Sequence, residues 1–207
     1  SLCWATVSPS GDSVRQACLA VPGAGRTAML FLSEPDPAGE PGGSEGALAD
    51  RSALVRAACA DLARERGGAI AIVQALPDTR EAWAIGACEG GGLRRIAELR
   101  YLRRAFGRAG GAGGEFLPPE GVEVTPASAI PAGAARDAAL LEALERSYVG
   151  TLDCPELCGL RALPDILASH RAVGVHDPSL WWIVRRGGAP RGCMLLSRCP
   201  EQRAVEL

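Results

Sequence analysis

Eight cysteines and two histidines are the residues of this 207-residue chain best equipped for covalent or metal chemistry. Cys154-x3-Cys158 and Cys193-x5-Cys199 set thiols in pairs, and thiolates suit zinc. Neither spacing is a common zinc knuckle, and Cys193 falls inside an apolar run that reads as a strand, so no metal is expected. A thiol enzyme would set Cys154 beside His170 or His176, but no flanking motif ties these residues together. His170 follows Ile166 and Leu167 on a helical period, and His176-Asp177-Pro178 reads as a turn. The thiols are scattered and sparse compared with disulfide-stapled secreted domains, which points to a reducing cytoplasm.

A second group of residues suits recognition rather than reaction. Trp181 and Trp182 are neighbours on a predicted strand and must point to opposite faces, so one belongs in the core while the other can wall a substrate groove. Asp153 and Glu156 carry the charge needed to hold a cationic amine, although a solvated turn explains them equally well. The whole chain balances 22 basic against 24 acidic residues, a formal charge of -2, and every basic residue is Arg. Spread in this way, the charges offer no concentrated field for nucleic acid or anionic lipid. No apolar run approaches the roughly 20 residues a membrane helix needs.

The elements that must position these residues fall on either side of a linker. Gly107 to Gly121 is rich in Gly and Pro, has no periodicity, and divides the chain into residues 1–106 and 122–207. Before it, Leu2 to Val7, Val14 to Val21 and Thr27 to Leu32 predict an antiparallel meander. Ser33 to Ala49 reads as a long acidic loop. Leu54, Val55, Ala58, Cys59 and Leu62 then repeat at helical spacing, and the apolar run Ala69 to Ala75 suits a buried strand. Asp78-Thr-Arg-Glu81 looks like a capping box for a further helix that frays by Gly90-Gly91-Gly92, and Arg95 to Phe106 predicts a last strand. After the linker come a strand at Val122 to Thr125, a helix marked by Leu140, Leu141, Leu144 and Tyr148, and a helix opened by Pro164. A second meander follows in Leu180 to Val184, Gly192 to Leu196 and Ala204 to Leu207. The fold class is therefore α/β in the broad α+β sense, with mixed, mostly antiparallel sheets flanked by helices.

The two meanders resemble each other. With Trp4 laid on Trp182 and small gaps allowed, Cys18 falls on Cys193 and Arg26 on Arg203, so that Met29-Leu30 meets Glu206-Leu207. Strand, helix, helix, three antiparallel strands is how N-acetyltransferases of the GNAT superfamily begin, and the order after the first meander is how they end. Gly92-Leu93 through Tyr101 resembles the segment in which that family's last helix passes into its closing strand. Leu180 to Val184 and Gly192 to Leu196 resemble its second and third strands, and Thr151 to Leu157 is similar to a stretch of bacterial members. The chain thus resembles the end of one GNAT module joined to the start of another, in a tandem bacterial member. On that reading Trp4 and Trp182 should occupy like surroundings, and the Ala69 run should lie in a sheet.

The resemblance implies acetyl transfer from acetyl-CoA, the cosubstrate, to a primary amine on a small molecule or peptide. Such transfer needs a cradle for pyrophosphate, a base for the amine and donors for the oxyanion. The family's cradle is a glycine loop opening a helix whose free N–H groups face the phosphates. Ser33 to Arg51 lacks that pattern, Cys88 stands where members carry a proton-donating Tyr, and Met29 stands where Glu206 stands in the second module. The first module is accordingly expected to be degenerate. Glu206, in a position where some members place the general base, is the catalytic candidate; partial shielding there would raise its pKa toward working pH. The second module's pyrophosphate loop is expected after Leu207, so residues 1–207 alone are expected to be inactive. Exposed meander edges favour a homodimer. The other reading is a non-catalytic GNAT-like scaffold for binding or dimerisation.

Overall fold

The computed structural model describes residues 1–7, 10–35, 45–65, 69–102, 117–152, 154–202 and 204–206. These residues form four α-helices and three sheets in a mixed, mostly antiparallel α+β arrangement. The chain divides into two compact units, one of Ser1–Ile96 with Gly159–Arg161 and one of Ala97–Cys158 with Ala162–Leu207. No helix among the described residues is long and apolar enough to cross a membrane.

In the first unit, β1 (Leu2–Val7), β2 (Val14–Gly23) and β3 (Thr27–Leu32) form the meander, joined by turns at the Gly11 and Gly25 positions. Helix α1 (Glu45–Glu65) then crosses back to deliver β4 (Ile72–Ala75) parallel to β3, giving a sheet of order β1-β2-β3-β4. A parallel neighbour requires such a crossover. The helix starts at Glu45, so it claims the end of the expected Ser33 to Ala49 loop, of which residues 36–44 lie outside the described residues. Alternation along β2 and β3 turns Cys18, Ala20, Ala28 and Leu30 inward, where they meet Leu54, Val55, Ala58 and Leu62 of α1. Burying Val55 and Leu62 is worth roughly 1.5–3 kcal/mol each. Helix α2 (Ala82–Gly90) packs on α1 at very short range, because a Cβ on Gly91 would lie 2.5 Å from Val55 Cβ and Cγ1. The glycines read as a helix stop are therefore also a packing device.

The expected last strand is corrected. Described residues 95–102 form no strand, and Tyr101 and Leu102 are 84% and 95% exposed. The apolar residues of this segment have no neighbouring ladder or core to hold them extended; residues 103–106 lie outside the described residues.

In the second unit, β5 (Val122–Pro126), β6 (Trp181–Arg186) and β7 (Ala189–Leu195) form an antiparallel sheet of that order. Helices α3 (Ala134–Tyr148) and α4 (Leu163–Ala172) supply Leu140, Ala143, Leu144, Ile166 and Leu167 to a core that also holds Trp181, Ile183 and Leu195. Pro164 lies in the first turn of α4. The second meander differs from expectation in its third strand. The chain breaks register at Leu196 and forms a separate two-stranded sheet from β8 (Ser197–Cys199) and β9 (Ala204–Glu206). Gly174, at φ +53°, lets the Arg198 carbonyl oxygen come within 2.3 Å of the place a Cβ would fill, beside the Val175–Arg198 bridge.

The residue-level repeat does not hold. Trp4 faces Cys18 across β1–β2 and packs toward α1, its indole Nε1 donating to Asp61 Oδ2 at 2.6 Å. Trp182 instead faces Met194, while Cys193 lies opposite Ile183, and the core-facing tryptophan is Trp181. Aligning the cysteines sets Trp4 on Ile183, one residue away, and a slip of one residue exchanges the faces of a sheet. The Ala69 run, by contrast, enters the sheet as β4.

Candidate functional site

The residues singled out in the second unit are dispersed by their local structure. Trp181 is fully buried, and its Nε1 donates to the Leu196 carbonyl at 3.1 Å, so it serves the core. Trp182, the next residue, is half-buried on the other face of β6. Glu156 is exposed in a single 3-10 turn that follows Cys154, a residue in the left-handed region at φ 45°. Asp153 lies outside the described residues. Glu206 is exposed at the end of β9, opposite Ser197, and the flanking strand does not shield it. After burial, the charge of Glu206 and a hydrogen bond to it hold the Cys199 thiol above its ordinary value. No hydrogen bond or ion pair joins Trp181, Trp182, Glu156 and Glu206 to one another.

Among the described residues a cleft lies in the first unit. β3 and β4 pair from Thr27↔Ile72 to Leu30↔Ala75 and then part. β3 continues through Phe31 and Leu32 on its β2 side, whereas the other chain runs into Leu76-Pro77, and proline has no N–H to extend the ladder. The strands open a cleft of about 310 Å³ whose floor and walls include Leu30, Leu32, Ala75, Leu76 and Pro77. Ligands of open α/β sheets bind at the carboxyl ends of parallel strands for this reason.

The remaining wall is α2 with the turn that leads into it, contributing Glu81, Trp83 and Cys88. The Asp78–Glu81 turn is held from both sides. Asp78 N–H donates to Glu81 Oε2 at 3.1 Å, and Arg80 donates from its backbone N–H and Nε to Asp78 Oδ1, both at 2.9 Å. The Glu half of the predicted capping box is therefore formed, while Asp78 binds Arg80 and leaves the helix itself without a side-chain N-cap. Those bonds hold the Asp78 carboxyl well below its usual range. Trp83 carries the Arg51 guanidinium over its ring, 5.2 Å from the centroid. Arg51 is only 4% exposed, and Gln16 is 5% exposed; both donate to the Ala47 carbonyl, at 3.5 and 3.3 Å. Among the described residues Arg51 Nε and Gln16 Oε1 find no partner. Burial lowers the Arg51 pKa.

Met29 and Cys88, the two positions at which the resemblance implies proton-transfer groups in active relatives, both line this cleft. The Met29 thioether takes no proton, whereas burial, followed by the neighbouring Cys59 and Glu89, pushes the Cys88 thiol up and keeps it protonated. Sequence reasoning missed Phe31, Glu34, Leu76 and Trp83. The available signals were a strand–helix–strand crossover ending at Pro77 and a Trp with no assigned place in a chain only 4% aromatic.

The described residues hold no cluster of three or more His, Cys, Asp or Glu arranged for a metal ion. No family model, no curated protein and no solved structure matches the chain.

Proposed function

We propose that the protein carrying this chain is an acyl-CoA-dependent N-acetyltransferase of the GNAT type, moving an acetyl group from acetyl-CoA to a primary amine. The observation that carries the reading is the pair β3–β4 joined through α1, which supplies the strand, helix, strand order that the resemblance implies after the first meander. Element order supports it in both units: strand, helix, helix, antiparallel strands in one, and meander, helix, strand, helix in the other. The unlike surroundings of Trp4 and Trp182 count against this reading, because the tandem repeat required them to match.

In this reading Glu206 takes the proton of the substrate ammonium through water, and Trp182 with Asp153 and Glu156 recognises the amine. The first unit does no chemistry: Met29 and Cys88 stand in its cleft, and Glu34 and Glu81 at its lining repel a pyrophosphate. The protein acts in the cytoplasm, in keeping with eight free thiols. Calorimetric titration with acetyl-CoA tests the reading. A saturable heat, with Glu206→Gln lowering kcat while leaving KM for acetyl-CoA unchanged, is expected; no heat at millimolar acetyl-CoA opposes it and favours the non-catalytic scaffold, the reading to which Met29 and Cys88 already point for the first unit.

A further inference from the structure

The cleft of the first unit has a ligand chemistry of its own, and it is opposite to that of a phosphate-bearing cofactor. Among the described residues its lining is apolar except for two carboxylates, Glu34 and Glu81, and none of the described lining residues is basic, although the chain has 22 arginines. The nearby cations are engaged elsewhere. Arg51 is buried against Trp83 and the Ala47 carbonyl, and Arg80 is paired with Asp78 at 2.8 Å.

We propose that this cleft binds a small amphipathic ammonium ion, with its apolar body along Leu32, Leu76 and Pro77 and its charge at Glu34 and Glu81. Three features of the cleft converge on that class. A volume of about 310 Å³ lies at the small end of ligand pockets, which suits a short chain rather than a nucleotide. Glu81 is half-buried and held at the cleft by the Asp78 N–H, so its carboxylate is positioned before any ligand arrives. One backbone bond does not exhaust a carboxylate, which has about four lone-pair sites. Trp83 adds an aromatic wall, with the Arg51 guanidinium already over one face of its ring. An anion entering the same space would meet two like charges and lose its hydration without compensation.

The claim rests on the first unit alone, so assays of acetyl transfer do not bear on it. Its test uses the 207-residue chain with n-hexylammonium, hexanoate and pantetheine as probes. The readout is the indole N–H resonance of Trp83, one of four in the chain, identified by its disappearance in Trp83→Phe. Hexylammonium should shift that resonance saturably and bind at least about tenfold more tightly than hexanoate. The double variant Glu34→Gln/Glu81→Gln, which keeps an acceptor for Asp78 N–H, should bring the two affinities together. Unmoved indole resonances of Trp4, Trp181 and Trp182 show that the variant keeps its fold. Hexanoate binding as tightly as hexylammonium, pantetheine displacing hexylammonium, an affinity ratio unchanged in the double variant, or a Trp83 resonance unmoved by any probe would each overturn the proposal.

Discussion

The two sheets differ in one respect that decides where a ligand can go. The described strands of the second unit are all antiparallel, and β6–β7 is zipped up to its turn at Gly187-Gly188. The first unit has one parallel pair, and a parallel pair has no turn to close its carboxyl end. Beyond Leu30 and Ala75 the strands are free to separate, and Pro77 ensures that they do. The cores differ as well. The first mixes small residues, Ala20, Ala28, Ala58 and Cys18, with Leu30, Leu54, Val55 and Leu62, and α1 and α2 approach closely at Gly91; the second is organised round one large side chain, Trp181.

Truncation at the centre of the second core should give the largest effect. Trp181→Ala removes a fully buried side chain and its bond to the Leu196 carbonyl, and should cost about 3–5 kcal/mol. Hydrogen exchange in β6 and α3 would read the loss; unchanged protection there would mean that Trp181 does not anchor this core.

Addition rather than removal tests the first core. Gly91→Ala places a methyl group 2.5 Å from two Val55 carbons, and Gly91 has an ordinary helical φ of -79°, so the effect reports crowding and not backbone strain. Overpacking should cost about 1–3 kcal/mol. The companion change Val55→Ala removes the Cγ1 contact but keeps the Cβ one, so the double variant should lose less than the sum of the two single losses, because the two substitutions share one space. A Gly91→Ala protein as stable as the parent would remove the distinction drawn between the two cores.

Periodicity made the helices and most strands legible. Leu54, Val55, Ala58 and Leu62 fixed the inner face of α1, and Leu140 and Leu144 that of α3, because burial imposes the pattern that the sequence displays. The Trp4–Trp182 correspondence failed because residue identity says nothing of strand register, and a one-residue slip reverses the face. Arg95 to Leu102 failed for a related reason: a run with strand-like composition forms a strand only where a partner exists. The cleft was illegible because it is made by divergence beyond a ladder, and its residues, Phe31, Leu76 and Trp83, come from three elements whose proximity is tertiary.

The smallest expected effect concerns charge next to the large core residue. The His176 ring stands 4.3 Å from Trp181, edge to face, and its Nδ1 has no protein partner. Desolvation lowers its pKa from 6.5, helped by Arg171 and Arg136, with Asp177 and Asp137 opposing. A base whose pKa is lower in the folded than in the unfolded chain stabilises the fold above the unfolded value. That contribution is lost as pH falls from 6.5 through the folded pKa, because the unfolded chain then binds the extra proton. Asp137 and Asp177, held below their usual range first of all by bonds from Arg171 and Ser179, titrate at lower pH, and comparison with His176→Phe separates this imidazole from that of His170. The melting temperature should therefore decline between pH 7.5 and 5.5 in the parent and decline less in His176→Phe, which keeps the ring contact without the titration. Parallel slopes in the two proteins would show that protonation beside Trp181 costs the second core nothing.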